Sequence, residues 1–179
     1  MTSVTIRQAL PQEYEILLSL SSTIEISKTW QMEQVFEDGA WNIRFKEVSL
    51  PRPVHLVYPF SSKDIREHLV TNELNLLAEE KSQPVGFLSL EAKSGTQVAR
   101  VTDLIIAGQN RRKGIATALM IAAVEWLVER NLNGITLEMM LKNHPGINLS
   151  RKMGFHLAGF NDVYYSNGQT AVYFYRKIA

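Results

Sequence analysis

The spacing of apolar residues changes character along this chain, and each change predicts a different kind of element. Val4 to Arg7 alternates like a short strand. Pro11 to about Leu20 reads as a helix, with proline at an early position where its missing N–H costs little. Ser21 to Gly39 is polar and carries Trp30, Glu33, Glu37 and Asp38 without a clear period. Trp41, Ile43 and Phe45 then alternate with Asn42, Arg44 and Lys46, the pattern of a half-buried strand, until Pro51 and Pro53 interrupt it and predict a loop. From Leu74 the pattern is that of a meander. Asn75 to Glu79, Val85 to Ala92 and Val98 to Ile106 are apolar runs separated by polar turns at Lys81-Ser82-Gln83-Pro84 and Lys93-Ser94-Gly95.

The period then becomes helical. Ile115, Leu119, Ala122 and Trp126 place one apolar stripe on a helix from about Arg111 to Arg130, ended by Asn133-Gly134. Ile135 to Leu141 is the next strand. A helical crossover makes it parallel to the strand ending at Ile106. A short helix from about Gly146 to Met153 is closed by Gly154 as its C-terminal cap. Two last strands, Phe155 to Tyr165 and Thr170 to Lys177, flank a turn at Asn167-Gly168. The predicted fold class is α+β: one domain over residues 1–179, with a mixed, mostly antiparallel sheet and helices on both faces.

Composition narrows the function classes. The 179 residues suit one domain with a sizeable core, and 45% are hydrophobic. Nineteen basic against eighteen acidic residues leave a net charge of +1, which argues against a nucleic-acid partner. Without cysteine there is no disulfide, thiolate metal site or cysteine nucleophile, and four scattered histidines show no metal-ligand spacing. The N-terminus lacks a long apolar signal region, and no run approaches the ~18 apolar residues of a membrane span. The expected compartment is the cytoplasm, with no membrane partner.

The candidate chemistry sits in Asp103-Leu104-Ile105-Ile106-Ala107-Gly108-Gln109-Asn110-Arg111-Arg112-Lys113-Gly114-Ile115-Ala116-Thr117. Arg111, Arg112 and Lys113 crowd the start of a helix, where cations oppose the helix dipole. They make better sense with an anion between them, bound by charge-assisted hydrogen bonds and by free N–H groups. A glycine turn before a helix is common by itself. The spacing matches neither a P-loop nor the dinucleotide fingerprint.

Arg111-x-x-Gly114-x-Ala116 resembles the Gln/Arg-x-x-Gly-x-Gly/Ala signature of the GNAT superfamily of N-acetyltransferases. Asn143-His144-Pro145-Gly146, followed by Ser150-Arg151-Lys152-Met153-Gly154-Phe155, resembles its second signature, Asn-x-x-Ala and then Tyr-x-x-x-Gly-Phe. Within that superfamily the chain is loosely similar to streptothricin acetyltransferases. That similarity rests on Ile43-Arg44-Phe45-Lys46-Glu47-Val48 with its proline loop, on Arg151 to Phe155, and on Asp162-Val163-Tyr164-Tyr165. The resemblance implies acetyl-CoA as co-substrate, no metal, and central parallel strands that splay to admit the thioester. Backbone groups of Leu104, Ile105 and Ile106 would pair with the pantetheine arm. Arg111, Arg112, Lys113, Gly114, Ile115, Ala116 and Thr117 would hold the pyrophosphate, and Asn143 would sit near the pantetheine end. Homodimers are frequent among such proteins, and the final hairpin offers sheet edges for pairing.

The implied reaction is acetyl transfer to a primary amine of a small cationic molecule, streptothricin-like or polyamine-like. The alternatives are a protein or peptide N-acetyltransferase and a CoA-binding domain without catalysis. An alkylammonium with pKa near ~10.4 must lose a proton before it attacks. Asp103 is the first candidate base and Glu138 the second; either carboxylate could equally be a solvated or salt-bridged strand residue, or hold a cationic acceptor. Ser150 stands where the resemblance expects an acidic tyrosine, and Tyr164 or Tyr165 could replace that group. Trp30, Trp41, Glu33, Glu37 and Asp38 suit a cationic ligand, or equally an acidic solvated face beside core tryptophans.

Overall fold

The structure is a computed structural model and describes residues 4–20, 23–57, 62–92 and 95–178. In chain order the elements are β1 (Val4–Gln8), α1 (Tyr14–Ser19), β2 (Thr23–Glu37), β3 (Ala40–Val57), α2 (Ser62–Thr71), β4 (Leu74–Glu80), β5 (Gln83–Glu91) and β6 (Val98–Ile106). They continue with α3 (Ile115–Glu129), β7 (Gly134–Met140), α4 (His144–Lys152), β8 (His156–Asn161) and β9 (Ala171–Lys177). Seven strands form one sheet in the order β1-β4-β5-β6-β7-β9-β8, and β2 pairs with β3 alone. Every pairing in the large sheet is antiparallel except β6 with β7. The α+β reading therefore holds.

Alternation along the central strands sorts the core into two layers. Leu74, Leu76, Leu88, Leu90, Val101, Leu137 and Met139 face α3 and α4, where they meet Ile115, Leu119, Ala123, Leu127 and Ile147. Leu77, Phe87 and Ile105 face the other way, toward Leu17 of α1 and Ile65 and Leu69 of α2. A fully buried side chain of this size contributes roughly 1.5–3 kcal/mol, so these two stripes are what fix the sheet between its helices. Gly86 lets α3 lie close on β5, since a Cβ there would stand 2.8 Å from Ile106 Cδ1 and 3.1 Å from Ile115 Cγ2.

Four sequence expectations are corrected. Thr23–Glu37, which shows no clear period, is a 15-residue strand in a long hairpin with β3. Pro51 and Pro53 do not end β3. Lys28 pairs with Ser49 and Ile26 with Val54, so four residues bulge out opposite Ser27, and prolines are tolerated where no ladder N–H is required. The helix expected from Arg111 starts at Ile115, because Gly108–Asn110 forms a 3-10 turn and Arg112 takes φ 65°. The last strands do not reach the Asn167-Gly168 turn: β8 stops at Asn161 and β9 begins at Ala171. Tyr164 and Tyr165 consequently sit in a loop, with both N–H groups donating to the Gln169 carbonyl.

Smaller differences follow the same logic. The Pro11 helix opens as a 3-10 turn, and α4 begins at His144 with Pro145 in its first turn. Gly154 caps α4 at φ 80°, as its position predicts. The expected turn at Lys93-Ser94-Gly95 lies outside the described residues at Lys93 and Ser94, as does Ser21.

Candidate active site

The parallel strands β6 and β7 separate partway along. They pair from Val98 with Gly134 to Val101 with Leu137, and no pairing continues beyond that point. The stretch Asp103 to Ile106 keeps its ladder with β5 while its β7 side is left unpaired. A bulge at Thr102, where Ser89 pairs Asp103 but Leu90 pairs Val101, turns β6 at the point of divergence. Backbone groups of Leu104 and Ile106 thus face the side that β7 leaves unpaired, while those of Ile105 face β5.

The loop after β6 is organised by Arg111. Its Nε donates to the Ile106 carbonyl at 3.0 Å and its Nη1 to the Thr23 carbonyl at 2.6 Å. Burial lowers its pKa from the ordinary arginine range. Sequence reasoning placed this cation against a phosphate; the structure places it on two carbonyls, where it fixes the loop's shape. Arg112 and Lys113 are exposed, and Lys113 Nζ stands 4.0 Å from Glu80, which also accepts from buried Asn110 at 2.9 Å. Gly114, at φ 84°, is the N-cap of α3 and supplies no side-chain cap, and the first turn has no acidic residue. The N–H groups of Ile115, Ala116 and Thr117 therefore open α3 with its dipole uncompensated, the usual electrostatics of an anion cradle.

Across the slot, Asn143 caps α4: its Oδ1 accepts from the Gly146 N–H at 3.0 Å. Ser150 is fully buried one turn on, and its hydroxyl donates to the Gly146 carbonyl at 2.9 Å. While that bond stands, Ser150 offers a leaving sulfur only an acceptor lone pair. The β2–β3 hairpin bridges the two loops that follow the diverging strands. Arg111 ties its start to the loop after β6, and His144 of α4 meets Glu47 of β3 at 2.9 Å. Trp30, Met32 and Phe45 pack this arm onto the core, with Phe45 edge-on to Phe160 at 5.7 Å. The Trp30 indole N–H is buried there without a partner among the described residues. Trp41 is 65% exposed at the far end of the arm, and Glu33, Glu37 and Asp38 are exposed with it, so of this acidic-aromatic set only Trp30 enters the packed region.

The two carboxylates lie on the face opposite α3, each with its own partners. Asp103 has a side chain with no exposure and lies 2.7 Å from His68 Nδ1 of α2. Thr102 also donates to it at 3.0 Å, and Asn72, just after α2, donates to both Thr102 and Ser89 at 2.8 Å. The hydrogen bond to Asp103 raises the His68 pKa, against the opposing effect of burial. Asp103 is buried, while the side chain of its partner His68 is 21% exposed. Sequence reasoning missed His68: a lone histidine 35 residues from its partner leaves no local signature. Glu138, the first β7 residue past the last pair, is 9% exposed and faces Tyr164, Tyr165 and Arg100. Burial, then the charge of Glu138, pushes the Tyr165 and Tyr173 phenols upward. Among the described residues no group of three His, Cys, Asp or Glu side chains could hold a metal, and no helix is long and apolar enough to cross a membrane.

A parallel pair that stops pairing partway, a helix start without a side-chain cap beside it and a face bearing two carboxylates are brought together in one sheet. The family model described as "Acetyltransferase (GNAT) family" matches residues 31–155, and the chain belongs to that family of acetyl-CoA-dependent acetyltransferases. It is 32% identical over 96 residues to a streptothricin acetyltransferase of Escherichia coli, a match spanning 51% of this chain and 55% of that protein. It is 26% identical to the streptothricin acetyltransferase of Streptomyces lavendulae, covering 93% of this chain and 91% of the relative. The crystal structure of a nourseothricin acetyltransferase has the same fold, with TM-score 0.84, 23% identity and coverage of 99% of this chain and 100% of that one.

Proposed function

We propose that this protein moves the acetyl group of acetyl-CoA onto a primary amine of a small cationic molecule, a streptothricin-like antibiotic or a polyamine-like amine. The observation that carries the reading is the β6/β7 divergence, with an anion cradle on one side and Asp103, His68 and Glu138 on the other. In this reading backbone groups of Leu104 and Ile106 receive the peptide-like pantetheine arm as an added strand. Arg112, Lys113 and the N–H groups of Gly114 to Thr117 hold the pyrophosphate, Arg111 keeps the loop in shape, and Asn143 borders the pantetheine end.

At neutral pH about one alkylamine in a thousand is unprotonated, a cost of roughly 4 kcal/mol. The His68–Asp103 pair offsets part of it by accepting the ammonium proton, directly or through a water. The amine nitrogen then bonds to the thioester carbon, the carbon–sulfur bond breaks and CoA leaves as its thiolate. A thiol of pKa near ~8.5 leaves with hydrogen-bond support alone, so the family's tyrosine is dispensable where Ser150 stands.

The hairpin favours a small acceptor over a protein chain. It ties the loop after β6 to the start of α4, and an arm held there leaves less room for an extended peptide than for a small amine. The test is thiol release from acetyl-CoA with streptothricin, spermidine and peptides bearing free N-termini or lysines. Rapid turnover confined to the small amines is the expected result. Turnover confined to peptides would replace this reading with that of a peptide N-acetyltransferase. Acetyl-CoA binding without turnover of any amine would point to a domain that binds CoA without catalysis.

A further inference from the structure

Glu138 is a nearly buried carboxylate with poor company. Tyr165 and Tyr164 donate to it at 3.3 and 3.4 Å, and Arg100 Nη1 stands 3.9 Å away. Three other ion pairs are much shorter: His68 to Asp103 is 2.7 Å, Arg7 to Glu79 2.7 Å and Arg100 to Glu91 2.9 Å, while pairs as long as that of Glu138, such as Lys113 to Glu80 at 4.0 Å, involve a well-exposed cation. Arg100 directs both Nε and Nη2 at Glu91, so Glu138 receives only its far corner. A carboxylate that has lost nine-tenths of its water requires short charged partners to be neutral in energy, and among the described residues Glu138 has none.

Three tyrosine rings surround this charge. Tyr164 lies edge-on to Tyr165 at 5.1 Å and to Tyr173 at 6.3 Å, with interplanar angles of 83° and 80°. Tyr173 is the cross-strand partner of Glu138 and shares its face. The Tyr165 and Tyr173 phenols remain neutral at physiological pH, pushed up by burial and by Glu138. On the same face stand Glu91 and Asp103, balanced by Arg100 and by His68 in its protonated state. Tyr164 and Tyr165 turn their hydroxyls to this carboxylate, and tilted tyrosine rings beside an under-compensated anion offer an organic cation both a charge and π-faces.

We propose that Tyr164, Tyr165, Tyr173 and Glu138 form a cation-receiving box, and that it seats an ammonium group of the acceptor other than the one acetylated. This rests on the acetyltransfer reading and deepens it. A carboxylate and π-faces stabilise the charged form of whatever they hold, so an amine in the box stays protonated and cannot attack the thioester. The nucleophile must be a second amine, and the acceptors are therefore diamines or amines carrying another cation. Glu138 then positions the acceptor, while the proton passes to His68 and Asp103.

The test uses wild type, Glu138→Gln, Tyr164→Leu and Tyr164→Phe, each checked for an unchanged melting temperature. Spermidine is titrated calorimetrically into the CoA-saturated protein, and kcat/KM is compared for spermidine and butylamine. Glu138→Gln should weaken spermidine binding roughly tenfold or more through loss of the ion pair, with the kinetic loss in KM and the preference over butylamine reduced. Tyr164→Leu should weaken it severalfold, on the order of one lost cation–π contact, and Tyr164→Phe should retain the binding. Wild-type affinity in Glu138→Gln, or equal binding of butylamine and spermidine by wild type, overturns the box. If Glu138→Gln fails to fold, equal binding by Tyr164→Leu and Tyr164→Phe overturns it. Streptothricin acetylation is followed in parallel. Turnover that the variants leave unaltered removes the box and keeps the acetyltransfer reading. Spermidine binding that depends on Glu138, without turnover of any amine, removes that reading and keeps the box.

Discussion

Replacing Asp103 by asparagine removes a charge and almost no volume, which makes it a clean probe of the acceptor face. Asp103 has no exposed side-chain surface and sits 2.7 Å from His68 Nδ1. A hydrogen bond to a charged group contributes about 1.5–3 kcal/mol net. Asparagine keeps an oxygen that accepts from a neutral imidazole, so only the ionic share is lost, about 1–2 kcal/mol. His68 has a pKa above its ordinary value because of this carboxylate. It is therefore protonated, and idle as a base, until the pH exceeds that raised value. In Asp103→Asn the rising limb of kcat/KM moves to lower pH, and the plateau falls because a weaker base accepts the proton. General bases contribute about 10²–10⁴ in rate, and losing the orienting charge should cost roughly tenfold to a hundredfold of that.

The assay is thiol release from acetyl-CoA across the pH range, with the His68 ring proton followed by NMR in the same variants. Stability supplies a second readout with a definite sign. A raised folded-state pKa contributes stability that is fully present below the unfolded value near ~6.5 and is lost as pH rises through the folded one. The deficit of Asp103→Asn against wild type should therefore be largest on the acid side and shrink as pH climbs. An unmoved kinetic limb with an unchanged plateau would refute the assignment and leave Asp103 a structural residue. A stability deficit that does not vary with pH would show that His68 does not titrate against it.

Three further outcomes follow from the same geometry. Arg111→Ala strips donors from the Ile106 and Thr23 carbonyls and should cost about 2–3 kcal/mol in denaturant unfolding while weakening acetyl-CoA binding; a loss below ~0.5 kcal/mol, the level of an ordinary surface substitution, would contradict the clamp. Gly114→Ala places a side chain at φ 84°, where nothing lies within 4 Å of its Cβ, so backbone strain of about 1–2 kcal/mol is the whole stability effect; fluorescence titration should show weaker acetyl-CoA binding, and unchanged binding would sink the cradle. Trp41→Ser should change the melting temperature little, since the ring is 65% exposed, whereas Phe45→Ala on the same strand should cost about 3 kcal/mol or more; equal effects would mean that the arm packs differently.

What the sequence reveals here depends on how far apart the cooperating residues lie. The meander from Leu74 to Ile106 is legible because both faces of its strands are buried and a two-residue turn at Lys81-Ser82, with φ 52° and 61°, joins the first pair. The cradle is legible because Gly114 and its basic neighbours are consecutive. The β2–β3 arm is not: Glu33, Gln34, Val35 and Phe36 are all exposed, so neither face writes a period, and the prolines point to a loop although a bulge accommodates them. Arg111 is visible as a cation near a helix start, but its hold on the Thr23 carbonyl, 88 residues away, leaves no local signature. Asp103 and Glu138 are visible as strand carboxylates. Their different environments are not, because His68 arrives from α2 and Tyr164 and Tyr165 from the loop before β9. Two acids with the same sequence appearance are thereby given opposite tasks. One is paired at 2.7 Å with a titrating base, and the other is left with contacts of 3.3 Å and longer, so that a cation gains by joining it.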